Sequence, residues 1–65
     1  MENISLIRLS EVIRRTGLSR SSIYAAISRK EFPPSIPLGA RSVAWIEKEI
    51  AHWIEQRIAI KRQVA

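Results

Sequence analysis

A nine-residue stretch near the start of the chain has the residue types that a sharp corner between two helices requires. It reads Thr16-Gly17-Leu18-Ser19-Arg20-Ser21-Ser22-Ile23-Tyr24. Gly17 can adopt the left-handed backbone that stops a helix, and Ser19 can cap the start of the next one. The side chains after Ser19 are small, polar or basic, as suits contact with phosphates and base edges. The spacing is typical of a helix-turn-helix whose second helix enters the major groove of DNA.

Polar and basic side chains that could contact DNA lie on the second helix and on a hairpin after it. Arg20 lies in the first helical turn, the part of this motif that approaches DNA. Arg41, at the predicted hairpin tip, has little structural reason to be an arginine. The predicted set of DNA contacts is Arg20, Ser21, Ser22, Tyr24, Ser28, Arg29, Lys30, Arg41 and Ser42.

Several of these positions also have a purely structural interpretation. Ser21 and Ser22 could equally be first-turn residues that hydrogen-bond locally. Tyr24 could be a half-buried aromatic or a donor to phosphate. Arg29 and Lys30 end the second helix, where the helix dipole alone favours positive charge. The sequence leaves these alternatives open.

The positive charge of the chain is concentrated in one segment. The net charge is +5, and residues 8–41 contain seven basic residues against two acidic ones, which accounts for all of it. The remaining basic and acidic residues cancel. Because this charge coincides with the helix-turn-helix, we interpret it as a surface for a polyanion, with double-stranded DNA as the partner.

Length and composition exclude several classes of protein. A chain of 65 residues has room for one domain, which buries about 60% of the surface that the unfolded chain exposes. With no cysteine and one histidine, His52, we expect no disulfide, metal site or cofactor. Glu47 and Glu49 point in different directions on a helix and form no acid–base pair, so we expect no enzyme. No membrane-spanning or signal-peptide pattern is present, and we expect a cytoplasmic protein.

Ile7 and Leu9 alternate with Arg8, enough for a short extended segment. After it, apolar periodicity and turn residues predict four elements. Helix one covers about residues 11–16, with Ser10 as its cap, and helix two covers about 20–30. A hairpin follows, with strands at 36–38 and 43–45, and Pro37 restricts its first strand to a sheet edge. The last helix covers about residues 47–62. The predicted fold is mainly α with a small β-hairpin: a winged helix-turn-helix of three helices plus a two-stranded wing.

The apolar positions predict one core and two loose ends. We expect a single domain over 1–65, with its core at about 7–58, a loose arm at 1–6 and a C-terminal tail. The predicted core side chains are Ile23, Ala26, Ile27, Phe32, Trp45, Ile50, Trp53, Ile54 and Ile58. In the tail, Ile58, Ile60 and Val64 extend an apolar edge. They could pack back on the core or contact an integrase or another copy of the chain.

These residues together resemble a known family. Thr16 to Tyr24, then Phe32-Pro33, Leu38-Gly39, Arg41 and Trp45, are similar to the AlpA-type phage regulators. Those are small winged helix-turn-helix proteins related to excisionases and to the MerR DNA-binding domain. The resemblance covers roughly residues 7–55.

The resemblance implies a prophage regulator that activates transcription of an integrase gene or promotes excision. Helix two would be the recognition helix, and the hairpin would be the wing, with Arg41 at the backbone or in the minor groove. The chain has Ala25 in the middle of the exposed face and Glu31 before the Phe-Pro pair, where similar sequences often carry a long polar residue and a glycine. With the apolar tail, these departures favour an alternative: a modulator that binds an integrase or response regulator.

Overall fold

Three helices and three short strands make up the fold. The computed structural model describes residues 3–64 of the chain and the side chains of residues 3–62. In chain order the elements are β1 (Leu6–Ile7), α1 (Leu9–Thr16), α2 (Arg20–Ser28), β2 (Ile36–Pro37), β3 (Val43–Ile46) and α3 (Glu47–Val64). This confirms the mainly helical winged helix-turn-helix, with one strand more than the sequence predicts. None of the described helices is both long and apolar enough to span a membrane.

The sheet is built around β3, which pairs with both other strands in antiparallel orientation. Ile36 lies opposite Ala44, and the Leu38 N–H donates to the Ser42 carbonyl at 2.7 Å, which closes the predicted hairpin. Pro37 lies in an edge strand, as its missing N–H requires. The additional strand is β1, in which Leu6 pairs with Ile46. It therefore begins at the last residue of the segment predicted as a loose arm; residues 1 and 2 of that segment lie outside the described residues.

Helix α1 begins earlier than predicted. Its N-cap is Arg8, with an extended backbone (φ −86°, ψ 169°) and no side-chain cap hydrogen bond. The Arg8 carbonyl accepts from the N–H groups of Glu11 and Val12. The prediction of Ser10 as the cap is therefore wrong, because the chain enters the helix directly from β1. At the other end Gly17 is left-handed (φ 75°) and its N–H donates to Ile13, as predicted.

Helix α2 begins as predicted and ends earlier. Ser19 caps it, since its side chain accepts from the Ser22 N–H. The helix ends at Ser28 rather than at Lys30, because Lys30 is left-handed (φ 62°). The Lys30 N–H donates to Ile27 and the Glu31 N–H to Ala26, the two hydrogen bonds of a Schellman motif.

The core lies where α1, α2 and α3 meet the sheet. Its fully buried side chains are Val12, Ile23, Ala44, Trp45 and Ile50, and Phe32 is nearly so. The Trp45 Nε1–H donates to the Pro33 carbonyl at 3.1 Å, so the polar atom of the largest core residue is paired. Ile58 was predicted to be buried, but 46% of it is exposed. The prediction was wrong because α3 continues beyond the rest of the fold, and every described residue after Ile54 is exposed.

Candidate nucleic-acid interface

One side of α2 is free of contacts with the core. Ile23 and Ala26 are buried, whereas Ser21, Ala25 and Ser28 are exposed on the opposite side. The exposed face is lined by small side chains, so a ligand could approach the helix backbone closely. If this face were packed against the rest of the chain, the helix could not enter a groove of DNA.

The predicted serines in the first turn of α2 hydrogen-bond at the beginning of the helix and are exposed. Ser19 Oγ donates to Ser22 Oγ at 2.9 Å and lies 3.3 Å from Ser21 Oγ. The Ser22 N–H donates back to Ser19 Oγ at 3.2 Å. Because Ser22 Oγ accepts in this arrangement, its own hydroxyl hydrogen remains available to an outside acceptor. Local bonding and contact with a ligand are therefore compatible at this position.

Tyr24 is anchored to the core by its ring. It meets Trp45 edge-on, with ring centroids 6.2 Å apart, and 37% of the residue is exposed. The guanidinium of Arg20 lies over the Tyr24 ring, 5.5 Å from its centroid. This contact holds the Arg20 side chain near the beginning of α2.

Three arginines from different parts of the sequence line one polar groove, which we call the arginine groove. Its lining residues are Arg8, Leu9, Ser10, Arg20, Tyr24, Arg41 and Val43. Arg8 precedes α1, Arg20 begins α2, and Arg41 belongs to the hairpin loop. Within the described part of the chain, no acidic side chain lines it, and the side chains of Arg8 and Arg41 make no hydrogen bond or ion pair.

Arg8 lines the arginine groove but is absent from the predicted set of DNA contacts. It belongs to the basic segment of residues 8–41, but no local sequence signal places it beside Arg20 and Arg41. The signal that could have found it is an arginine just before a helix, where serine, threonine, aspartate or asparagine is preferred. Ser10, predicted as a cap, lines the arginine groove instead.

Two other arginines of the basic segment are engaged by carboxylates. Arg14 Nε donates to Glu11 at 3.0 Å, and Arg15 bonds both Glu11 (2.7 Å) and Glu47 (2.8 Å). These hydrogen bonds, from Arg14 first and then Arg15, lower the pKa of Glu11 from 4.5 to about 2. The positive charge of Arg14 and Arg15 is therefore partly balanced by carboxylates within the fold, unlike that of the arginines in the arginine groove.

The predicted contacts at the end of α2 are separate from the arginine groove. Nine residues of helix span about 13 Å, so Arg29 lies far along the axis from Arg20. Arg29 Nε donates to Glu31 at 3.0 Å in an exposed pair. Lys30 is exposed, and Ser42 is partly buried in the hairpin. The structure thus brings together Arg20, Tyr24 and Arg41, but not Arg29 and Lys30 with them.

The acidic side chains and the histidine of the described chain are dispersed over the fold. The described residues contain no group of three or more histidine, cysteine, aspartate or glutamate side chains that could hold a metal ion. His52 is exposed on α3, and Glu47 is committed to Arg15. The chemistry that the lining of the arginine groove offers is hydrogen-bond donation and positive charge.

Comparison with known proteins gives matches over most of the chain. The family described as prophage CP4-57 regulatory protein (AlpA) matches residues 5–58. The chain is 44% identical over 57 residues to the uncharacterized protein ORF88 of Enterobacteria phage P4, a match that covers 88% of this chain and 65% of that protein. It is 40% identical over 60 residues to the DNA-binding transcriptional activator AlpA of Escherichia coli strain K12, covering 83% of this chain and 86% of that protein. The match thus spans just under two thirds of the phage P4 protein's length.

Proposed function

This chain belongs to the AlpA family of prophage regulatory proteins, and we propose that it is a DNA-binding regulator of prophage genes. The observation that carries the proposal is the uncovered face of α2 beside the arginine groove. A relative 40% identical to the chain is described as a DNA-binding transcriptional activator. The net charge of +5 suits the same partner.

In this proposal α2 enters the major groove and the hairpin lies against the neighbouring backbone. The B-DNA major groove is about 12 Å wide and admits one helix. The small side chains Ser21, Ala25 and Ser28 let the helix sit deep, where serine hydroxyls meet base edges and the Ala25 methyl meets a thymine methyl. Arg41 reaches a phosphate or the minor groove from the hairpin. Arg29 and Lys30 remain predicted contacts at the far end of α2.

The regulatory output that we propose is activation of an integrase-type gene or promotion of prophage excision. It rests on the family and on the known role of regulators of this type, since both outputs begin with binding near prophage genes. A single domain this small covers a short DNA site. We therefore expect several adjacent sites, or assembly of several copies along DNA, and a footprint confined to one short half-site would contradict this.

Fluorescence anisotropy with labelled duplexes tests the DNA proposal. The probe is DNA flanking the chain's own gene, compared with a scrambled duplex of equal length, over a range of salt concentrations. If about 4–6 phosphates are neutralised, log affinity falls with log salt at a slope of about −4 to −5. Arg41→Ala should weaken binding and leave the circular dichroism spectrum unchanged. Absence of binding to the flanking DNA at low salt would exclude the proposal.

A second candidate function is favoured by the exposed end of α3. Ile58 and Ile60 are 46% and 51% exposed on a helix that continues past the core, as expected for a surface that binds an integrase, a response regulator or another copy. The side chain of Val64, the third residue of this predicted edge, lies outside the described ones. Truncation after Gln56 separates the two candidates. If DNA affinity survives while the biological output is lost, the end of α3 is a partner surface.

A further inference from the structure

The arginine at the start of α1 is poorly suited to its local position. Arg8 has the extended backbone of an N-cap, yet its side chain makes no capping hydrogen bond. Serine, threonine, aspartate and asparagine at this position satisfy a helix N–H, whereas arginine has no acceptor to offer. Glu11 stands at the third helical position, so a serine or threonine at residue 8 would complete a capping box. The chain forgoes that stabilisation here.

What Arg8 provides instead is a third cation in the arginine groove. It lines the groove with Arg20 and Arg41, so the N-cap of α1, the first turn of α2 and the hairpin loop each bring one guanidinium to the same place. In contrast, Arg14, Arg15 and Arg29 all have carboxylate partners. Guanidinium groups match the oxygens of phosphate in geometry as well as in charge. The lining therefore has the chemistry of an anion site.

The helices reinforce the positive potential of this groove. Ser10 is in the first turn of α1 and Arg20 in the first turn of α2, so both helices begin beside it. Helix N-termini carry partial positive charge and leave N–H groups without acceptors in the helix. The stacking of Arg20 on Tyr24, which in turn packs on Trp45, ties one guanidinium to the core.

We propose that Arg8, Arg20 and Arg41 form a binding site for the DNA backbone phosphates at the junction of α1, α2 and the hairpin. The inference rests on the proposed function and adds to it a contact from outside both the recognition helix and the wing. Phosphate contacts fix the position and register of a protein on the duplex. A phosphate-binding site beside the first turn of α2 would set how that helix enters the major groove.

The test compares Arg8→Ser with Arg62→Ala, a control that removes the same charge from the exposed end of α3. Loss of one phosphate contact reduces the magnitude of the log–log salt slope by about 0.9. At 0.1 M salt this lowers the DNA affinity roughly eightfold. We expect Arg8→Ser to show this loss on flanking and scrambled duplexes alike, since phosphates carry no sequence information. Arg62→Ala should change the slope by much less.

The melting temperature of Arg8→Ser distinguishes a DNA contact from a structural role. If Arg8 stabilised the fold, the substitution would lower the melting temperature. Because Arg8→Ser introduces a cap, we expect its melting temperature to rise by roughly 4–8 °C. Higher stability with weaker DNA binding supports the phosphate site. If wild-type protein binds DNA and Arg8→Ser binds it with the same affinity and slope, the site is excluded while the proposed function stands.

A final arm separates backbone phosphate from a free phosphate ligand. Inorganic pyrophosphate is titrated into the wild-type protein with tryptophan fluorescence as the signal. We expect no saturable binding at micromolar concentration, since a single free anion gains little from counterion release. Micromolar binding that Arg8→Ser abolishes, with DNA affinity unchanged, would assign the groove to a small phosphorylated ligand and overturn the proposal.

Discussion

Replacing Lys30 by glycine tests where the proposed recognition helix ends. Lys30 is left-handed (φ 62°), a conformation that costs a residue with a Cβ atom roughly 1–2 kcal/mol. Glycine adopts it without that cost but loses about 0.5–1 kcal/mol through the entropy of the unfolded chain. Lys30→Gly should therefore be more stable than Lys30→Ala by about 0.5–1 kcal/mol. The alanine variant is the matched control, since it loses the same charge and keeps the Cβ.

The sign of this difference separates two descriptions of α2. If the helix continued through Lys30, as the sequence predicts, glycine there would be less stable than alanine by about 1 kcal/mol. With the Schellman ending the order reverses, and the melting temperatures should differ by about 2–8 °C in favour of glycine. Thermal denaturation by circular dichroism measures both variants. Equal melting temperatures, or the alanine variant melting higher, would refute the helix end described here.

Three further substitutions test the cap, the core and the charge network. Ser19→Ala should lower the free energy of unfolding by about 1 kcal/mol, because the Ser22 N–H loses its acceptor; an unchanged thermal midpoint would contradict this. Trp45→Ala should cost about 3–5 kcal/mol, comparable to the whole stability of such a domain, and should abolish NMR dispersion. Because the pKa of Glu11 falls to about 2, its contribution is present above pH 4.5 and lost as pH falls toward 2. Glu11→Gln should therefore destabilise at pH 7, and its difference from wild type in circular dichroism melts should shrink toward pH 2.

Elements with a strong local signal could be predicted from the sequence. Gly17 and Ser19 define the corner between α1 and α2 through backbone preference and capping, both of which act within a few residues. Pro37 and the turn after Leu38 define the hairpin in the same way. The exposed face of α2 follows from helical periodicity once Ile23 and Ala26 are recognised as core.

Features that depend on residues distant in the sequence could not be predicted from the sequence. The alternation of Ile7 and Leu9 around Arg8 predicts a short extended segment, but not that Leu6 and Ile7 pair with β3, some forty positions later. That pairing also sets the start of α1, so the cap at Ser10 was misplaced. Ile58 continues the apolar spacing of α3, but the spacing does not say where the remainder of the fold stops. Arg8 reaches the arginine groove through β1, which explains why sequence reasoning did not place it there.

Arg8 and Lys30 both depart from the residue type that their backbone prefers, and the consequences differ. The left-handed turn at Lys30 has a structural use, because it leads into Glu31, whose carbonyl accepts the Trp53 Nε1–H at 2.9 Å. Any residue that makes the turn preserves that bond. The Arg8 side chain makes no hydrogen bond or ion pair within the described chain, so Arg8→Ser removes no such bond and adds a helix cap. Both Arg8→Ser and Lys30→Gly should therefore stabilise the fold, but we expect the larger loss of DNA affinity from Arg8→Ser.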